Sequence, residues 1–291
     1  VTWETRYPRP PRTTLDALAT AALAAADEPA GTEITWVEHG SATVVALTDR
    51  VAVRIARQRQ AGGEVLRARR LVDALPDLPF AVPRSLGEAV EVDGYTAVAT
   101  RRLHGSTAPT TTPDPGVLRE LLDAVHAVDT TPVTEHLAPR RTFCGGEAWE
   151  QTLRERVVPL LDADLRADAQ HRIAALAALE DAPRTLNHGD LGASNVLWSG
   201  DRVSGVIDWD LTAREDPAED VATVATSFGL WPHVEALADP GTVRRADAFR
   251  GTIPLQIVAF AVLAARPDDE VARTVARAQH ALRRTAAGQV R

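Results

Sequence analysis

This chain contains no lysine and no methionine, so all 32 of its basic residues are arginine. The missing lysine removes Schiff-base chemistry, a lysine-tethered pyridoxal phosphate and the phosphate loop G-x-x-x-x-G-K-[ST]. There is one cysteine, Cys144, which excludes an internal disulfide framework and a cysteine-based zinc site. A reducing, cytoplasmic setting is the expectation. The longest apolar run, Ile253 to Ala265, is 13 residues and carries Pro254 and Gln256. A membrane span needs about 20 residues, so none is expected. Arg6, Arg9 and Arg12 precede an Ala-rich run that Asp16 breaks and Asp27 ends, which argues against a signal peptide. The motifs H-E-x-x-H, G-x-S-x-G and G-x-G-x-x-G are also missing. No basic stripe suited to nucleic acid is present.

What remains is ordinary globular composition, 45% hydrophobic and 25% charged over 291 residues. At roughly 150 residues per domain, that length suits two domains or one two-lobed body. Charge is unevenly spread. Up to Gly105, 13 Arg balance 13 acids; beyond it, 19 Arg face 27 acids, so the whole net charge of −8 lies in the second part. That excess is either a solvated acidic surface or a cleft that attracts a cation.

The pattern of elements is α+β: a small β-rich lobe over 1–104 and a larger helical lobe over 105–291. Residues 14–27 have helical character. Glu33–Glu38, Ala42–Thr48 and Val51–Ala56 are β-branched runs, the last two joined by a tight turn at Asp49-Arg50. After Gly62-Gly63, Val65, Ala68, Val72 and Leu75 recur at helical spacing. Strand-like runs near Ser85–Val92 and Tyr95–Thr100 flank Asp93-Gly94, and the Thr/Pro-rich stretch Gly105–Pro115 is the expected linker. Beyond it, Val117, Leu121, Val125 and Val128 form a stripe. Helices are expected at Glu147–Leu161, Leu165–Leu179, near Pro217, and at about 244–265 and 268–286. Short strands Val196–Trp198 and Val203–Ile207 interrupt them.

That interruption carries the candidate chemistry. Asp190 and Asn195 share a polar loop bounded by apolar residues, and Asp208 ends an apolar β run that can pair with Val196–Trp198. The hairpin can bring Asn195 and Asp208 together near Asp190. A hard ion such as Mg²⁺ takes one or two such oxygens and completes its shell with water and phosphate. A neighbouring carboxylate without metal can orient a hydroxyl and accept its proton. Together these are the parts of a phosphoryl-transfer site.

His188-Gly189-Asp190 with Asn195, then Ile207-Asp208-Trp209, then Asp216-Pro217 with Asp220, resemble the ordered motifs of the aminoglycoside phosphotransferase family, relatives of the protein kinases. The resemblance implies the two-lobed kinase-like fold, ATP or GTP as phosphate donor, Mg²⁺, and an acceptor in the larger lobe. It assigns Asp190 as catalytic base, Asn195 and Asp208 as metal ligands, and His188 and Asp220 as supports of the loop. In the small lobe, Ser41 and Thr43 sit where the family has its phosphate-covering loop. Arg54 stands in Val51-Ala-Val-Arg54-Ile where the family has its phosphate-binding lysine, with Glu64 as its expected acidic partner. Backbone groups of Arg101 and Leu103 would meet the nucleotide base. Leu122–His126 is similar to the family's L-H helix.

The acceptor expected from these features is a small antibiotic, polycationic because of the acidic second part: an aminoglycoside or a basic peptide of the tuberactinomycin type. Asp210, Glu215, Asp268, Asp269 and Glu270 are its candidate contacts, with Asp210 equally suited to anchoring a loop. Two alternatives stand beside this one: a metabolic kinase for an amino alcohol, sugar amine or homoserine, and a catalytically dead nucleotide-binding relative, which Arg54 would favour. No nucleic-acid or membrane partner is expected, and the sequence leaves monomer and dimer open.

Overall fold

The computed structural model describes residues 7–179 and 184–286. Arg6, one of the three N-terminal arginines noted above, lies outside them. The chain divides into two compact units. The first comprises Val1–Ser106, Thr131–Leu137 and Ser204–Asp210; the second comprises Thr107–Thr130, Ala138–Val203 and Leu211–Arg291. The sequence suggests a single cut near residue 104. The structure instead returns two later segments to the first unit, and long-range hydrogen bonds invisible in sequence explain why. Ala81 N donates to Ser204 O at 3.0 Å, and Val206 N donates to Ala81 O at 2.9 Å.

The first unit is built on an antiparallel five-stranded sheet. Its strands are β1 (Thr35–Val37), β2 (Thr43–Leu47), β3 (Val51–Ala56), β4 (Val90–Val92) and β5 (Tyr95–Arg101). Their order is β1-β2-β3-β5-β4. Ser85 contributes only a bridge to Thr100, so the strand expected from Ser85 shrinks to β4. The β4–β5 turn works because Asp93 and Gly94 both adopt positive φ, 53° and 78°, the backbone that a two-residue hairpin requires.

Period-two alternation sorts β3 between two helices. Val51, Val53 and Ile55 join the core made with Leu15, Leu18, Ala19 and Ala22 of α1 (Arg12–Ala25). Ala56 joins Val98 and Val65, the last of these on α2 (Gly62–Ala74). Arg54, two residues before Ala56, therefore shares the α2 face. Leu15 and Leu18 are fully buried, and such side chains contribute about 1.5–3 kcal/mol each.

The second unit is mainly helical. It contains α3 (Pro115–His126), a short α4 (Trp149–Thr152), α5 (Ala163–Ala177), α6 (Ala218–Ser227), α7 (Pro240–Leu263) and α8 (Asp268–Ala286). Asp114 caps α3 by accepting from Gly116 N at 2.7 Å, and Asp239 caps α7 by accepting from Gly241 N and Thr242 N. The single helix expected over 147–161 is broken instead. A π turn at Leu153–Val157 and a 3₁₀ turn at Val158–Leu160 follow α4, the latter containing Pro159, which cannot donate to a helical ladder. Four short strands follow α5 in the chain: β6 (Thr185–Asn187), β7 (Val196–Ser199), β8 (Arg202–Val206), whose Ser204–Val206 belong to the first unit, and β9 (Ala213–Glu215). β7 and β8 form one two-stranded sheet, β6 and β9 another.

By length and composition, α7 is the one helix among the described residues apolar enough to cross a membrane. It also buries Leu255, Val258, Ala259 and Ala261 in the core, together with the polar Thr252 and Gln256. These last two bond each other at 2.9 Å.

Two glycines test the backbone account. Gly87 and Gly31 both have left-handed φ, +79° and +81°, but a Cβ at Gly87 would lie 1.9 Å from the Ala25 carbonyl oxygen, whereas Gly31 has open space. Gly31→Ala should cost about 1–2 kcal/mol from backbone strain. Gly87→Ala should cost about 1–3 kcal/mol more, because the α1 terminus must move. Urea unfolding of the two variants checks this, and equal losses would refute it.

Candidate functional site

The loop after β6 is shaped by one carboxylate. Asp220, on the first turn of α6, is fully buried. It accepts from His188 N at 2.8 Å and from Gly189 N at 3.0 Å. Gly189 has φ +82°, and a Cβ there would lie 2.6 Å from the Leu211 carbonyl oxygen, so only glycine makes this turn without displacing backbone. His188 is buried too, and its Nδ1 accepts from Asp190 N at 3.2 Å. Thr212 Oγ1 donates to His188 O at 3.3 Å. His126, at the end of α3, places Nε2 3.5 Å from Asp220 Oδ2, a favourable ion pair when the ring is protonated.

The turn leaves Asp190 exposed at the surface. Asn195 braces it, donating from Nδ2 to Asp190 O at 2.8 Å and to Asp190 Oδ2 at 2.9 Å. With the amide donors committed, Oδ1 is the atom of Asn195 able to meet a cation. Gly192 N bonds Asp190 O at 2.8 Å, Asn195 N bonds Gly192 O at 3.0 Å, and Ala193 N bonds Ser227 Oγ at 2.6 Å. The loop is thus closed by its own hydrogen bonds around a presented carboxylate.

In the first unit, Asp208 is exposed and holds φ +65°, an uncommon conformation for a residue with a Cβ that Asp tolerates best. The buried Trp209 next to it pins the turn by donating Nε1–H to Val206 O at 3.0 Å. Arg54 forks onto Asp210, with Nη1 to Oδ1 at 2.9 Å and Nη2 to Oδ2 at 2.6 Å, and reaches Asp208 Oδ1 at 3.5 Å. Burial opposes its charge, but Asp210 and then Asp208 outweigh burial and raise its pKa above the ordinary arginine value. The expected Arg54–Glu64 pair is not formed. Glu64 instead binds Arg67 Nε at 2.8 Å.

The other small-lobe candidates are less committed. Ser41 is exposed just before β2, and Thr43 is buried at its first position. Arg101 N is bonded to Arg84 O at 2.8 Å, so a contact from Arg101 to a base would use its carbonyl. Leu103 is half-buried.

One residue that sequence reasoning passed over is Arg57. It is 5% exposed. Its guanidinium donates to Gly40 O at 2.7 Å, to Glu38 O, and to Pro8 O at 3.3 Å. It therefore holds the loop that carries Ser41. Nothing local marks it: an arginine ending a strand suggests a surface residue.

Of the five acids expected at the acceptor, the structure buries Glu215 and Glu270, ties Asp210 to Arg54 and leaves Asp268 and Asp269 exposed. Glu215 is 2% exposed and takes a fork from Arg140 at 2.7 and 2.6 Å, so it holds the fold together instead of facing a ligand. Asp216, beside it, is likewise buried on Arg245 at 2.7 and 3.1 Å. Glu270 is buried. Asp269 pairs with Arg273 at 2.7 Å along α8, and Asp268 is exposed at the α8 start. Asp210 is the anchor of Arg54 described above.

Among the described residues, no cluster of three or more His, Cys, Asp or Glu side chains is placed to hold a metal. Asn195 Oδ1 in the second unit and the Asp208 carboxylate in the first are each a hard oxygen donor of the kind Mg²⁺ takes.

Half-buried Glu219 and buried Cys144 are two further acid–base groups of the second unit. Burial, then Glu215 and Asp220, push Glu219 up to about 8, and burial, then Glu219, pushes Cys144 up to about 12. The folded state therefore holds the Glu219 proton more tightly than the unfolded chain does, whose glutamates titrate near about 4.3. Stability from this group falls as pH rises from that value towards 8. Glu219→Gln should therefore melt progressively higher than the parent protein between pH 5 and pH 8. A gap that stays constant with pH would contradict the assignment. Cys144 should resist alkylation in the native protein at pH 8 and react only on unfolding; rapid native labelling would show an accessible thiolate.

Comparison with known proteins adds an independent line. Residues 33–248 match the model of a family described as "Phosphotransferase enzyme family" (APH). Over 118 residues the chain is 42% identical to viomycin phosphotransferase of Streptomyces vinaceus, covering 38% of this chain and 41% of that protein. The match thus spans less than half of that relative's length. Among solved structures, the GDP complex of wild-type aminoglycoside 2'-phosphotransferase-IIIa aligns with TM-score 0.75 at 17% identity, over 95% of this chain and 99% of that one. Macrolide 2'-phosphotransferase MphH from Brachybacterium faecium aligns with TM-score 0.64 at 22% identity, over 92% and 97%. At these identities the structural likeness establishes a shared kinase-like fold.

Proposed function

This chain belongs to the phosphotransferase enzyme family, and we propose that it transfers the γ-phosphate of ATP or GTP to a hydroxyl of a polycationic antibiotic. The observation that carries the reading is the loop of the second unit. An exposed aspartate, Asp190, is held by Asn195 and by a backbone that buried Asp220 pins from beneath. A carboxylate presented this way can align an acceptor hydroxyl and take its proton. Phosphoryl transfer asks little more of a protein than such positioning and charge stabilisation.

In this reading Asp190 is the catalytic base. Asn195, through Oδ1, and Asp208 are the residues that would hold Mg²⁺, and the ion would supply charge neutralisation on the transferring phosphate. Arg54 meets phosphate oxygens with a planar fork of donors, work an ammonium does as a point charge. The backbone and hydroxyls around Ser41 and Thr43 cover the phosphates, and the carbonyl of Arg101 with the backbone of Leu103 meets the base. His188 and Asp220 support the loop. A nucleotide-dependent enzyme whose single thiol is buried suits the reducing cytoplasm.

The acceptor class rests on two supports: the likeness to viomycin phosphotransferase and the −8 net charge after Gly105. Several of those acids are tied up in buried ion pairs. The exposed ones, Asp190 and Asp268 among them, provide the remaining attraction for a cation. Long-range attraction of this kind is screened over about 8 Å at physiological salt, so added salt should raise the acceptor KM while leaving kcat nearly constant.

The test is a nucleotide-consumption assay with Mg²⁺ over a panel of viomycin, capreomycin, aminoglycosides and macrolides, with mass spectrometry for the adduct. A phosphate adduct on at least one polycationic compound and none on a macrolide is expected. Adducts confined to neutral or singly charged compounds would overturn the acceptor class. Asp190→Asn should lower kcat by about 10²–10⁴ while nucleotide still binds; near-normal kcat would remove Asp190 as the base.

A further inference from the structure

The geometry points to Asp210 as the anchor that positions Arg54 for the nucleotide, in place of an acid on α2. This inference rests on the phosphotransferase reading above. Strand alternation puts Arg54 on the face of β3 that α2 covers, and Glu64 is the acid in the first turn of α2. Yet Glu64 is taken by Arg67. Arg67 also donates to the Asp210 carbonyl at 2.6 Å and to the His136 carbonyl at 2.9 Å. The α2 acid therefore acts one step removed: it steadies Arg67, Arg67 holds the Asp210 backbone, and the Asp210 carboxylate holds Arg54.

The contact itself suits arginine alone. Both Asp210 oxygens meet separate guanidinium nitrogens, at 2.9 and 2.6 Å. This fork-to-fork pairing fixes the plane of the cation as well as its place. An ammonium at position 54 could meet one oxygen and would keep its rotational freedom. Asp208 does not compete as an anchor: its carboxylate is 50% exposed and 3.5 Å from Arg54, whereas Asp210 is 21% exposed. Asp208 stays half-exposed while Asp210 neutralises a guanidinium whose side chain is only 18% exposed. Removing one partner of so buried a pair strands the other charge.

The test is equilibrium binding of ADP and of GDP by calorimetry, each with and without Mg²⁺. The proteins compared are the parent, Asp210→Asn, Arg54→Lys, the double variant and Glu64→Gln. Asp210→Asn and Arg54→Lys should each weaken nucleotide binding at least tenfold, with and without Mg²⁺. The double variant should be no more than threefold weaker than the weaker single variant, because both changes break one unit. Glu64→Gln should lose less than Asp210→Asn. Losses that multiply in the double variant would overturn the inference, and so would unchanged affinity in Asp210→Asn. A loss confined to the Mg²⁺ arm would make Asp210 a metal ligand and overturn it equally. If Asp210→Asn does not fold, Arg54→Lys, which keeps the charge, decides alone: parental affinity would refute the need for a fork. A parent that binds neither nucleotide with or without Mg²⁺ would instead sink the phosphotransferase reading.

Discussion

A carboxylate buried away from water must find hydrogen bonds or be expelled, and Asp220 finds two adjacent backbone amides. That constraint organises the second unit. Holding His188 N and Gly189 N together forces the left-handed turn at Gly189, which no side chain could occupy against Leu211. The turn buries the His188 ring, which takes the Asp190 amide, and Asp190 emerges at the surface with its direction set. Asn195 then closes the loop. Each step follows from satisfying the groups buried by the one before.

The absence of lysine gives the rest of the molecule a consistent style. Buried and half-buried acids are met by planar forks rather than point contacts. Arg140 forks onto Glu215, Arg245 onto Asp216 and Arg54 onto Asp210, while Arg57 spreads across backbone carbonyls. Arg141 is 4.5 Å from the Trp149 ring centroid and 5.5 Å from that of Phe249, with Glu215 at 3.4 Å. These contacts bury acids that a count of net charge would place on the surface. Each such pair is neutral in itself, so the net charge of −8 resides on the acids outside these pairs.

Much of this was legible in sequence where the signal was local. The β2–β3 hairpin, the helical spacing of α2, the Asp93-Gly94 turn and the limits of α8 all lie where periodicity and turn chemistry put them. The loop from His188 to Asn195 and the helix that carries Asp220 are similarly visible, because their spacing encodes the chemistry. What escaped was long-range. Strands β6 and β9 are three residues each and exist because Thr185–Asn187 pairs with Ala213–Glu215. The return of 204–210 to the first unit depends on a bridge to Ala81. Glu64 is the acid that the family resemblance assigns to Arg54, whereas Asp210 lies more than 150 residues further on. Arg57 shows no local sign of its burial, and Glu215 looks like any exposed acid until Arg140 is placed beside it.

The central physical claim is that a buried carboxylate makes the Asp190 loop as rigid as the core beneath it. Native-state amide hydrogen exchange measures this directly, since protection reports the free energy of local opening. The amides of His188 and Gly189 should be protected to the level of Leu121 and Leu122 in the middle of α3, despite sitting beside an exposed aspartate. Exchange of these two amides at the rate of an exposed turn such as Gly200 would show that Asp220 does not hold the loop, and the account would fail at its foundation.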